Sequence, residues 1–450
     1  MGSGEFAVTI NRKEVVSSVL PLQEHWLPLS NLDLLLPPVD VSVYFCYREP
    51  TKHEKFTYAS VVSVLKTAMA KALVSYYAFA GEVVSNSAGE PELLCNNRGV
   101  DFVEAYADVE LRDLDLYNLD ASVSGKLLPE KKDGVLCVQV SELKCGGVVV
   151  ACTFDHRIAD AYSANMFFLA WAQIAQNNKH TSPPPSFRRS LLNPRRPGLY
   201  DASLDNMYVP ISSLPPPTQT GSDPIINRIY YVKSEDIDGL QSRASSNGYR
   251  RSKLEAFSAF LWQIMAKGAA RGCKMGIVVD GRTRLSGKTS LMETYFGNVL
   301  SVPFGEGSID ELTTKPLSWV AEAVHEFLEC AVTKEHFLGL IDWVEAHRPE
   351  PAMAKAYSTG SDEGAAFVVS SGQRFPVREV DFGWGSPVFG SYLFPWGGEA
   401  GHVMPMPSAT RDGDWVVYVH LLKGQMELLE KEAADVFRPF TPDYLFMEGP

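Results

Sequence analysis

The sequence predicts an α/β protein of two domains joined by a proline-rich crossover. Its 450 residues hold more core than one typical domain, and 45% hydrophobic with 21% charged residues is ordinary for a globular chain. Strand-like and helix-like stretches are interspersed through both halves without strict alternation. Over residues 181–221 the composition shifts to Pro183-Pro184-Pro185, Pro194, Pro197, Pro210 and Pro215-Pro216-Pro217, which reads as a linker rather than a core element. That stretch divides the chain nearly in half, and no internal repeat accompanies it.

The first 30 residues carry mixed signals. Leu34-Leu35-Leu36-Pro37-Pro38 then leads into a β-branched and aromatic run over 41–47, which predicts a strand. Over 60–80, apolar Val61, Val64, Leu65, Ala68 and Leu73 recur at helical spacing. Residues 136–141 and 148–154 read as two strands joined by a turn at Cys145-Gly146-Gly147. After Asp160 a helix is expected to bury Phe167, Trp171 and Ile174, with Met166 beside them. The second half restarts with a strand at 229–232 and a helix at 252–267. A strand at 276–279 follows, then a helix through Trp319, Val320, Val324 and Phe327. The chain closes with a strand at 416–421 and a helix at 424–437.

Net charge is −13 and the pI about 5.3, which argues against non-specific nucleic-acid binding. Seven cysteines in no zinc or redox spacing predict buried free thiols in a reducing compartment. No apolar run has transmembrane length and no leader pattern is visible, so a cytoplasmic, membrane-independent protein is expected. The nine histidines show no metal-ligand spacing, so no metal is expected. Gly287-Lys288-Thr289 invites a phosphate-loop reading, but Arg282 stands where the first glycine belongs and no helix is expected to follow.

Three constellations carry candidate chemistry. His156 ends an apolar run and Asp160 lies four residues on; an imidazole near neutrality can take a proton from an alcohol or amine. Alone, that spacing more often marks a structural histidine. Asp381-Phe382-Gly383-Trp384-Gly385 places a tryptophan, with one indole N–H, between two permissive glycines. Asp280-Gly281-Arg282-Thr283-Arg284 follows an apolar stretch and offers an arginine to a buried carboxylate such as Asp160 or Asp381. The ordinary alternatives for the last two are an aromatic-packing turn and a surface turn.

Together, His156-x-x-x-Asp160 and Asp381–Gly385, half a chain apart, resemble the two signature motifs of the plant BAHD acyl-CoA-dependent acyltransferases. Gln139-Val140-Ser141-Glu142-Leu143-Lys144-Cys145-Gly146-Gly147 resembles that family's Q-x-x-x-F-x-C-G-G, with Leu143 in place of phenylalanine, and Tyr295-Phe296-Gly297-Asn298-Val299 resembles a stretch paired with the Asp280 segment. The resemblance spans the chain. It implies two similar-sized chloramphenicol-acetyltransferase-like α/β domains with mixed sheets, a long crossover loop and a solvent channel between them. The first domain would cover 1–195 with about 373–400 returning to it, the linker 196–222 and the second domain 223–450. It implies acyl-CoA as co-substrate, no tightly bound cofactor, and a monomer.

By the same resemblance His156 would be the general base and the Trp384 indole would donate to the tetrahedral oxyanion. Asp160 would support His156 through Arg282, while Asp381, Gly383 and Gly385 would shape a turn. Hydroxycinnamoyl-CoA shikimate/quinate transferases line their acceptor pocket with T-P-S-V-Y, matched here by 40–44, so that Asp40, Ser42 and Tyr44 are expected there. Arg374 matches an arginine that grips the acceptor carboxylate. Asp40 would repel a carboxylate unless Arg374 offsets it. That consideration and the run at 21–33 favour a hydroxycinnamyl alcohol such as coniferyl alcohol, with shikimate or quinate and a polyamine amine as alternatives. Ser252 and Lys253 are expected against CoA. A non-catalytic binding protein and a hydrolase are the readings from other classes; intact His156 and Trp384 argue against the first.

Overall fold

A computed structural model describes residues 5–50, 57–177, 183–213, 223–246, 248–287, 290–358 and 364–446. Its frame is two mixed sheets. The six-stranded sheet runs Val8–Val16, Val100–Ala107, Leu136–Leu143, Val148–Asp155, Asp40–Tyr47 and Phe389–Leu393. The seven-stranded sheet runs Phe304–Ser308, Gly272–Ile277, Ala365–Val369, Gly401–Pro407, Trp415–Leu422, Ile225–Val232 and Arg438–Pro439. All eight residues of Val148–Asp155 are buried, as a central strand of Val, Ala and Phe requires. Its register against Asp40–Tyr47 sets Asp40 opposite Asp155 and Tyr47 opposite Val148.

Helix Ala161–Asn177 packs beside helix Tyr58–Ser75, and the buried Trp171 indole donates to the Leu65 carbonyl at 2.9 Å. Tyr58–Ser75 starts where Thr57 accepts from the Ser60 N–H. It ends five residues before the expected 80, and Tyr77–Ala80 forms a 3-10 turn instead. In the second half, helix Lys253–Gly268 opens with a reciprocal cap between Ser252 and Glu255.

Several expectations shift. The strand expected at 276–279 lies over Gly272–Ile277, and Val279–Asp280 pairs separately with Leu300–Ser301. A short helix, Arg282–Ser286, lies ahead of Gly287, and no helix follows over the described residues 290–299, so both grounds against a phosphate loop stand; Lys288 and Thr289 lie outside the described residues. The last long helix is Lys423–Glu432, and buried Phe437 lies beyond it. The proline-rich stretch is more than a tether. Its described part packs Leu192, Leu204 and Tyr208 into a core cluster, and Tyr208–Pro210 pairs with Ala352–Ala354. Pro215, Pro216 and Pro217 lie outside the described residues. Five cysteines are buried, Cys145 is half-buried, and Cys330 is exposed rather than buried.

Candidate active site

His156 stands one residue beyond Val148–Asp155. Its N–H donates to the Val39 carbonyl at 3.0 Å, and its own carbonyl accepts from the Asn298 side chain at 2.9 Å. Asn298 is held in turn by Asp33, whose carboxylate accepts from both the Asn298 N–H and side-chain amide. Arg157 turns back on Asp155 with two side-chain hydrogen bonds, 2.9 and 2.6 Å. The loop is thus gripped on both sides of the imidazole. Burial pushes the His156 pKa below its ordinary value, against the opposing pull of its own carbonyl, Asp160, Asp155 and the Asn298 side chain. Nδ1 is buried and has no hydrogen-bond partner among the described residues.

Asp160 turns away from the imidazole. Arg282 donates to its two oxygens at 2.7 and 3.0 Å, with both side chains almost wholly buried, at 2% and 1% exposure. The remaining Asp160 valences accept the Ser163 and Val299 N–H groups. Arg282 also donates to the Gly297 and Tyr295 carbonyls and Ser163 Oγ, and lies over the Tyr162 ring at 4.4 Å. A buried pair with this many added partners satisfies its own desolvation.

A cavity of ≈ 450 Å³ takes His156 into its wall. Phe154 and Val41 of one sheet and Ile277, His402, Met404 and Tyr418 of the other also line it, so it is shared between the two sheets. Phe394 meets the imidazole edge-on at 5.7 Å. Residues 6–436 match the Transferase family. The chain belongs to that family, as an acyltransferase of the BAHD type. It is 30% identical to shikimate O-hydroxycinnamoyltransferase of Nicotiana tabacum over 91% of this chain and 95% of that one. It is 28% identical to anthranilate N-benzoyltransferase protein 1 of Dianthus caryophyllus, over 91% and 95%. The fold matches F. graminearum TRI101 complexed with coenzyme A and deoxynivalenol, with a TM-score of 0.72, 13% identity and coverage of 92% and 99%. That likeness shows the expected fold of two α/β halves with mixed sheets, and membership of the BAHD type makes acyl-CoA the co-substrate.

The tryptophan motif sits elsewhere. Asp381 accepts from the Gly383 and Gly385 N–H groups at 2.7 and 3.0 Å, and both glycines have positive φ, 113° and 112°. Trp384 stacks on Phe382 and meets Tyr47 edge-on at 5.9 Å. Tyr47 ends the strand that begins at Asp40, seven residues and roughly 23 Å from the His156 end. The expected oxyanion role for Trp384 is therefore corrected: its indole packs a remote turn.

The acceptor residues also need correction. Of the segment 40–44, Val41 lines the cavity, whereas Asp40, Ser42 and Tyr44 do not. They share the opposite face of an alternating strand. Asp40 pairs with Lys131 at 3.1 Å, Ser42 and Thr153 hydroxyls bond at 2.9 Å, and Tyr44 is buried against Phe389. Arg374 does line the cavity, with its side chain 65% exposed, and faces Asp280 at 3.5 Å. Ser252 is committed to its helix cap and Lys253 to Asp238 at 2.7 Å; neither lines the cavity, although the neighbouring Leu254 does.

Asn298, Asp280 and the cavity aromatics are absent from the sequence-based assignments. Asn298 belongs to a recognised stretch but carried no role there, and Phe394, Trp396 and His402 belong to no motif. Among the described residues, no helix is long and apolar enough to cross a membrane, and no group of His, Cys, Asp and Glu is arranged for a metal.

Proposed function

We propose that this acyltransferase moves an acyl group from a CoA thioester to the hydroxyl of a phenylpropanoid alcohol, a hydroxycinnamyl alcohol such as coniferyl alcohol, with His156 as general base. The observation that carries the reading is an imidazole, its pKa lowered by burial, in the wall of a largely apolar cavity, on a loop fixed from both sides. Burial shuts Nδ1 away, which leaves Nε2 to face the substrates as the basic nitrogen. It takes the proton as the acceptor oxygen bonds to the thioester carbonyl carbon. The tetrahedral intermediate then expels the CoA thiolate, and the imidazolium returns the proton to sulfur. No acyl-enzyme is formed, because the acceptor attacks the thioester itself.

Asp160 and Arg282 act as positioning residues in this reading, and Asp381 as the anchor of a turn. A neutral acceptor is favoured by the aromatic wall and by Asp280 beside Arg374. It no longer rests on Asp40, whose charge Lys131 offsets. The pairing of Phe389–Leu393 with Asp40–Tyr47 supports assigning about 373–400 to the first domain.

The test is a panel of acetyl-, malonyl- and p-coumaroyl-CoA against coniferyl alcohol, shikimate and putrescine. The coniferyl ester should form fastest. Faster acylation of shikimate or putrescine would overturn the acceptor class, and CoA release that ignores the acceptor would overturn transfer.

A further inference from the structure

His402 lies in the strand Gly401–Pro407, in register with His420 across the sheet, and is 3% exposed. Among the described residues, neither of its ring nitrogens has a hydrogen-bond partner. An imidazole with both nitrogens unpaired is a costly choice for a wall that a phenylalanine or methionine would fill, and such groups call for an explanation. Burial, helped by His420 and His156, pushes its pKa down to about 3, so the ring is neutral near pH 7. A neutral imidazole presents one donor and one acceptor.

The surroundings are flat and aromatic. Phe394 lies 4.6 Å from the His402 ring, and Tyr357 is nearly parallel to it at 6.5 Å and 12°. Trp396 lies parallel to Phe394 and 5.1 Å from Tyr357, and its indole N–H also has no partner among the described residues. All four line the cavity that holds His156, which touches the same Phe394 edge-on. Rings at these spacings pack on one another and present the cavity with one aromatic wall on which a further ring can lie, and a hydroxyl on that ring matches a neutral imidazole donor for acceptor.

We propose that Tyr357, Phe394, Trp396 and His402 form a subsite for a hydroxylated aromatic ring of the substrate, and that His402 is its specificity-determining residue. The inference rests on the acyl-transfer reading of the cavity. The ring can belong to the acyl group or to the acceptor, and both present the same chemistry to His402.

Two matched pairs separate these sources: p-coumaroyl-CoA against cinnamoyl-CoA with a common acceptor, and p-coumaryl against cinnamyl alcohol with a common donor. Wild type should favour the hydroxylated member of one pair. His402→Phe should lower that kcat/KM ratio by about tenfold, whereas His402→Gln should retain it within about threefold. A purely structural role would lower both members of a pair together. If neither ratio falls by more than about threefold in His402→Phe, or in His402→Leu should the first not fold, the assignment is overturned. Wild type that transfers no acyl group to any acceptor would instead overturn the reading of the cavity.

Discussion

Arg282 and Asp160, 122 residues apart, meet in a two-pronged pair at 2.7 and 3.0 Å with almost no exposure to solvent. The carboxylate of the histidine motif is thereby spent on tying the His156 loop to the second half of the chain. Arg282→Ala would leave Asp160 buried and unpaired, at a cost of about 3–5 kcal/mol. Arg282→Lys keeps the charge but loses the fork, and should cost less stability while still slowing transfer. Urea unfolding and kcat together check this; wild-type stability in Arg282→Ala would contradict it.

His156→Ala should lose transfer by at least about a hundredfold while its unfolding midpoint stays near wild type. Burial lowers the imidazole pKa, and the base must be neutral to act. The acid limb of kcat/KM should therefore fall below pH 6.5, with no loss from this group at higher pH. A limb centred above that value would count against His156 as the base.

Trp384 packs on Phe382 and Tyr47 at the far end of the strand from His156. Trp384→Ala should destabilise by about 2–3 kcal/mol, short of a full core deletion because the ring is half-buried. Trp384→Phe should keep kcat within about threefold, where loss of an oxyanion donor would cost about a hundredfold or more. Rates on folded protein distinguish the two.

Asp40→Thr should leave the ratio of rates on shikimate and coniferyl alcohol within about twofold, because Lys131 already screens the carboxylate. A large swing toward shikimate would restore Asp40 to the acceptor pocket.

Burial pushes His402 down to about 3 and His336 down to about 4, against an ordinary 6.5. Above pH 6.5 neither the folded nor the unfolded chain protonates them, and their contribution is constant. Below it only the unfolded chain gains the proton, so each removes about 1.4 kcal/mol of stability per pH unit until its folded value is reached. His156 and His420, also lowered by burial, act in the same direction. Urea unfolding between about pH 7 and pH 5 should show a loss that is shallower by about one proton in His402→Phe.

Strands with continuous apolar runs, such as Val148–Asp155, were legible because burial on both faces leaves that signature. Val8–Val16 was not, since most of this edge strand faces solvent and carries no alternation. Gly401–Pro407 hides behind its glycine and prolines. Pro405 is tolerated because it lies past Val369↔Val403, the last parallel pair on that side. That an arginine of 280–284 would meet a buried carboxylate was legible from charge alone, but only the family resemblance chose Asp160 over Asp381 and singled out Arg282. The place of Trp384 could not, because residue type does not say which end of a strand a turn will pack against. His402 is a lone histidine on an apolar strand, and its significance appears only when the rings around it are assembled.

The strand Phe389–Leu393 comes late in the chain yet completes the sheet that begins near the N-terminus. A gene cut between the halves would therefore yield a first fragment with Asp40–Tyr47 as a raw, sticky margin. The second fragment would carry an orphaned strand. Neither piece is expected to behave well alone, but mixed together they have what is needed to reassemble, which would make the chain a natural starting point for a split reporter of acyl transfer.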